Sequence, residues 1–121
     1  MSEKTAVNPA ALSALSAKLI PSVVTVTAGS GVTINDQFVY QMGKLVVVNV
    51  SATVGSSTLG SQADIITGLP APVAAVPVVG CKNLGAGNAQ AILNTNGKIV
   101  NNWDGFDAGK KYFFNFSYFT A

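Results

Sequence analysis

The chain has 121 residues, the size of one domain, and can bury roughly two-thirds of its unfolded surface without disulfides or metals. It is 49% hydrophobic but only 10% charged, with seven lysines against five acids and neither arginine nor histidine. Those absences exclude histidine-based nucleophiles, imidazole metal ligands and bidentate arginine clamps, and a scattered net charge of +2 is no nucleic-acid footprint.

Residues 1–20 read as an N-terminal arm with a short helix, set apart from a head over 21–121. Asn8-Pro9 opens the helix, because asparagine caps free N–H groups and proline at the first helical position gives up no needed donor. Ala10 to Leu19 are good helix formers, and Pro21 stops the run. Leu12, Leu15 and Leu19 form a narrow apolar stripe at i, i+3 and i+7. A helix this short is marginal alone in water. The stripe therefore packs either on its own domain or against copies of itself in neighbouring chains. Met1 to Thr5 is polar with mixed charge and Lys18 interrupts the Ala/Leu/Ser stretch, so a secretory signal is not expected.

After Pro21 every signal is β. Ser22 to Thr27 alternates, and Gly29-Ser30-Gly31 makes a turn. Val32-Thr33-Ile34 is a short strand closed by an Asn35-Asp36 turn. Gln37 to Met42 sets Phe38, Tyr40 and Met42 on one face. Lys44 to Val54 is the longest strand; it is expected to begin buried on both faces and to end half-exposed. Gly55 to Gln62 is a flexible loop. Ile65-Ile66-Thr67 leads into Gly68-Leu69-Pro70-Ala71-Pro72, which cannot be an internal strand. The longest apolar stretch, Leu69 to Val79, falls far short of the ~20 residues that span a bilayer, so no membrane insertion is expected.

Val76 to Lys82 is a strand in which the lone Cys81 reads as a small buried residue, since one thiol makes neither a disulfide nor a zinc site. Asn83 to Gly87 is a turn. Ala89 to Leu93 and Lys98 to Val100 form a hairpin through Asn94-Thr95-Asn96-Gly97, with Asn-Gly as its signal. Asn101 to Gly109 is a loop holding Trp103 and Phe106. Lys110 to Thr120 alternates throughout, with Tyr112, Phe114, Phe116 and Tyr118 on one face and Phe113, Asn115, Ser117 and Phe119 on the other. About eight short strands separated by turns predict an all-β fold, an antiparallel β-sandwich of jelly-roll type with a short N-terminal helix. The last strand holds six of the ten aromatics, some on each face. Either loops cover its second face, or another copy of the chain does; low charge favours the copy.

The order of motifs resembles bacteriophage tail receptor-binding and tail-fibre tip domains. Gln41-Met42-Gly43-Lys44-Leu45-Val46-Val47-Val48 is similar to their glycine-lysine strand, and Gly68-Leu69-Pro70-Ala71-Pro72 to their glycine-leucine-proline hinge. Asn96-Gly97-Lys98-Ile99 is similar to their hairpin, and Ala108-Gly109-Lys110-Lys111-Tyr112 through Ser117-Tyr118 to their closing strand. The resemblance covers about Gln37 to Ala121. It implies a homotrimeric tip in a virion that attaches to a host cell, commonly through a bacterial cell-surface saccharide or surface protein, beside other tail proteins. It carries no binding motif across. The other readings are a structural trimerisation or decoration domain of a virion and a secreted jelly-roll trimer that acts as a protein ligand.

Sites must therefore come from the residues themselves. Trp103 stands in a polar loop with Asn101, Asn102, Asp104 and Asp107. An exposed aromatic plate beside amides and carboxylates suits a saccharide: the ring covers the sugar's C–H face and the polar groups take its hydroxyls. The plainer reading is that Trp103 and Phe106 cap the end of the fold. Asp104 and Asp107 alone supply neither a glycosidase pair across a cleft nor the six to eight oxygens calcium takes. No enzyme activity, cofactor, metal or nucleic-acid partner is expected. The expected contacts between copies are Leu12, Leu15, Leu19, Phe113 and Phe119.

Overall fold

The computed structural model describes residues 8–13, 20–82, 87–103 and 105–121. Residues 9–13 are helical, α1, and open as the sequence indicates: the Asn8 side-chain oxygen accepts the Ala10 N–H at 2.8 Å and the Asn8 carbonyl accepts the Leu12 N–H at 2.9 Å. Residues 8–13 are all exposed. Leu15 and Leu19 of the expected stripe lie outside the described residues.

From Ser22 onward the described chain is nearly all β and antiparallel. Its strands are β1 (Ser22–Val23), β2 (Thr27–Ala28), β3 (Val32–Met42), β4 (Leu45–Val54), β5 (Asp64–Thr67), β6 (Val76–Lys82), β7 (Asn88–Leu93), β8 (Ile99–Asn101) and β9 (Lys111–Phe119). They form one curled sheet in the order β1-β3-β4-β9-β6-β7-β8-β5-β2. Its two outermost strands, β1 and β2, belong to one segment. Ser22 to Thr27, expected as a single strand, pairs first with β3 (Val23↔Tyr40) and then with β5 (Thr27↔Thr67). Between them the Gln37 carboxamide takes the place of the ladder, accepting the Val26 N–H at 2.8 Å and donating to the Val26 carbonyl at 3.2 Å. A side-chain amide can do this because it carries the same donor and acceptor as a peptide group.

Several expectations change. Asn35-Asp36 is not a turn. β3 runs through it, the register against β4 shifts between Ile34 and Asp36, and the Asn35 side-chain oxygen accepts the Thr53 hydroxyl at 2.8 Å. Both halves of β3 pair with the unbroken β4, so the extra residue is absorbed as a bulge. β4 is also covered in the reverse sense. Val47 near its start is 46% exposed, whereas Ser51 towards its end is buried, because Ser51 lies beside Phe113 of β9. Cys81 is exposed rather than buried. The inward positions of β6 are Val78 and Gly80, and an unbroken apolar run has no alternation to reveal that. In the β7–β8 hairpin Gly97 alone takes positive φ, at +80°; Asn96 instead accepts the Lys98 N–H through its side chain at 3.1 Å.

β9 alternates as expected: Tyr112, Phe114 and Tyr118 are buried, and Phe119 on the other face is 64% exposed. The core joins both halves of the sheet, with Val46, Val48 and Val50 of β4, Tyr112 and Phe114 of β9, Ala89, Ala91 and Leu93 of β7 and Ile65 and Ile66 of β5 in one cluster. Phe106 is fully buried among them, its ring 4.7 Å from Tyr112 and 6.0 Å from Phe114. Gly80 lies beneath these rings; a Cβ there would come 2.8 Å from Phe106.

Candidate functional site

The loop after β8 is built from its buried end outward. Asn101 is fully buried; its side-chain amide donates to the Leu59 and Gly60 carbonyls at 3.2 and 3.0 Å, and its oxygen accepts the Trp103 N–H at 3.2 Å. The Tyr112 hydroxyl ties the far end, donating to the Gly105 carbonyl at 2.6 Å and accepting the Asp107 N–H at 2.8 Å. Phe106 plugs the core between these ties. The Asn102 N–H reaches the Gln90 carbonyl at 3.2 Å, which lays the loop along β7. Gly105, at φ +110°, lets the backbone approach that strand closely: a Cβ there would already be 3.4 Å from that of Ala89.

Trp103 is left outside this framework, 74% exposed. Asn88, Gln90, Trp103 and Gly105 border a cavity of about 330 Å³. Ala89 and Ala91 of β7 point inward and Asn88 and Gln90 outward, so the two carboxamides stand beside the indole. The loop thus divides the expected pair of capping aromatics: Phe106 fills the core and Trp103 faces solvent.

The other expected ligand residues separate as well. Asn101 holds the loop from inside and has no face left for a ligand, because the β7–β8 pairing turns its side chain towards Leu59. Asp107 pairs with Lys82 at 3.1 Å. Asn102 is exposed, and Asp104 lies outside the described residues. Asn88 and Gln90 were not expected at the site. Their alternation with alanines marks them as outward in the sequence, but nothing local links them to Trp103. The loop Gly55 to Gln62 is pegged by buried Leu59, and its Thr58 hydroxyl accepts the Ala108 N–H at 3.2 Å.

The other half of the sheet presents a second surface. Across β1, β3, β4 and β9 the registers align outward rows: Met42–Leu45–Phe119, Val23–Tyr40–Val47–Ser117 and Phe38–Asn49–Asn115. No charged side chain falls in these rows. Phe38 is 55% and Val23 71% exposed. A further row, Asp36–Ser51–Phe113–Cys81, is exposed at both ends and closed only at its middle. Phe113 is half-buried, with the Lys111 ammonium 5.2 Å from its ring centre, and the buried Ser51 hydroxyl has no hydrogen-bond partner among the described residues. Of the expected contacts between copies, Phe119 lies on this face, Phe113 at its closed margin, and Leu12 is exposed on the arm. Val23, Phe38, Tyr40, Met42 and Val47 join the face without having been expected there.

Tyr118 donates to the Pro70 carbonyl at 2.7 Å, and burial pushes its hydroxyl up to about 12. Among the described residues no three His, Cys, Asp or Glu side chains gather to hold a metal, and no helix is long and apolar enough to cross a membrane. No protein-family model matches the chain, and no curated protein matches it.

Proposed function

We propose that the chain is the head of a trimeric host-surface adhesion module of phage-tail type, a binding protein rather than an enzyme, recognising a bacterial cell-surface saccharide. In this reading the curled sheet is a jelly-roll-like sandwich whose halves, β1-β3-β4-β9 and β6-β7-β8-β5-β2, share the core cluster described above. The observation that carries the proposal is the outward face of β1, β3, β4 and β9. Exposed aromatic and aliphatic side chains, interrupted by Asn49, Asn115 and Ser117, occupy three successive rows there without a charge. Contiguous apolar surface of this kind marks an interaction site, and depletion of charge is the signature of an interface core. Trimerisation suits adhesion because weak sites held together gain strongly on a repetitive surface. The alternative, a structural trimerisation or decoration domain of a virion, uses the same face; the exposed Trp103 shelf on the other half of the sheet favours adhesion.

Sedimentation equilibrium and whole-cell binding test this together. The expected mass is about three times the 12.3 kDa chain at micromolar concentration, with retention on a subset of bacterial strains. A stable monomer overturns the assembly, and a trimer that binds no cell leaves the structural alternative.

A further inference from the structure

We propose that the shelf formed by Trp103, Asn88 and Gln90 binds a neutral glycan and discriminates against acidic ones. This deepens the adhesion reading and rests on it for the source of the ligand, while the chemistry follows from the shelf itself. Phe106, three positions along the same loop, is fully buried, whereas Trp103 is 74% exposed. The framework that orders the loop therefore holds the indole out in water, where it presents an apolar plate. Such a plate suits the C–H face of a pyranose. Gly105 keeps the wall beside it free of side-chain bulk, and the cavity of about 330 Å³ is at the small end of ligand clefts, room for a short stretch of glycan.

The polar partners decide the class. Asn88 and Gln90 project outward from alternate positions of β7, and neither carboxamide is engaged by another group among the described residues. Each offers an acceptor oxygen and two N–H donors, the complement of vicinal hydroxyls or of an acetamido group. A carboxylate, sulfate or phosphate would instead need a cation to offset its desolvation. The chain has no arginine. Lys82, at the end of the neighbouring strand β6, is already held 3.1 Å from the Asp107 carboxylate. An acidic sugar would lose water here without gaining an ion partner.

Trp103 is the only tryptophan, so intrinsic fluorescence reports on this shelf alone. The full chain is titrated with maltotriose, chitotriose and β-1,4-galactotriose, and in parallel with trigalacturonate and sialyllactose. At least one neutral probe should shift the emission saturably, and the acidic probes should bind about tenfold or more weakly, the loss of one charge-compensating contact. Asn88→Ala and Gln90→Ala should each weaken the neutral probe about fivefold or more. Trp103→Ala should abolish its heat of binding in calorimetry. All these variants should keep the wild-type melting temperature, because the side chains are exposed. The proposal is overturned if no neutral probe saturates, if an acidic probe binds more tightly, or if binding survives Trp103→Ala in a folded protein. Cell retention separates the two levels. Cells held equally well by wild type and all the shelf variants sink this site and leave adhesion standing. A saturable neutral probe with no cell retained sinks adhesion and leaves the site.

Discussion

Asn101 and Asn102 are adjacent and identical in type, yet one is a structural tie and the other is exposed. The difference lies in the pairing of β8. Asn101 closes the ladder opposite Ala91, so its side chain turns inward to the Leu59 and Gly60 carbonyls, while Asn102 meets β7 only through its backbone. Asn101→Ala strands those buried groups and the Trp103 N–H, and should cost about 2–3 kcal/mol in denaturant unfolding, with a changed Trp103 emission. Gly80 makes a similar point for packing. Its missing side chain is what admits the Phe106 and Phe114 rings. Gly80→Ala should lose about 1–3 kcal/mol by overpacking, read as a lower midpoint with an unchanged denaturant slope. The glycine is visible in the sequence, but the rings that require it come from a loop and a strand far along the chain.

At the scale of elements, turn chemistry and period-two alternation located most strands, and they failed where one element met another. β4 is the clearest case: its apolar outward start looked buried and is open, because no layer among the described residues covers it, while Ser51 looked half-exposed and is closed over beside Phe113. The Pro70–Pro72 segment was legible as something other than an internal strand. Its role as a strap on β9, through the Pro72↔Thr120 bridge and the Tyr118 hydrogen bond, was not. Burial of the Tyr118 hydroxyl sets a pH dependence. The unfolded tyrosine titrates near 10, whereas burial holds the folded hydroxyl at about 12. Between these values the folded chain keeps a proton that the unfolded chain has lost. The contribution is therefore full below about pH 10 and disappears as pH rises through 12. With solvent screening it is on the order of 1–2 kcal/mol. Unfolding free energies measured from pH 9 to 12 should fall more steeply for wild type than for Tyr118→Phe, and equal slopes would remove Tyr118 as the cause.

For the whole molecule, the outward face of β1, β3, β4 and β9 is where packing within the chain can be separated from the proposed association between copies. Phe119 is 64% exposed and supports little of the core of its own chain. Phe119→Lys should therefore leave monomer stability within about 0.5 kcal/mol of wild type while reducing the sedimenting mass towards that of one chain. A trimer that tolerates this lysine would place the contact elsewhere, on the arm or on another face. Low overall charge pointed to such a surface from composition, and the alternation of β9 placed Phe119 on it. The contribution of β3 stayed hidden because Phe38, Tyr40 and Met42 line up on one face whether that face is covered or open.

What the sequence by itself determined is the class of the fold: a nearly all-β chain with one short helix, the course of β6, β7 and β9, and the punctuation at Gly29–Gly31, Pro70–Pro72 and Gly97. These follow from the backbone freedom of glycine and proline and from alternation along a strand, both set by near neighbours. Only the tertiary structure decided which side of β4 is open, that Cys81 faces outward, that Gln37 stitches the two ends of the sheet, and that Asn88 and Gln90 flank Trp103. Each of these depends on which strand lies beside which, and that is settled by burying one shared core among segments tens of residues apart.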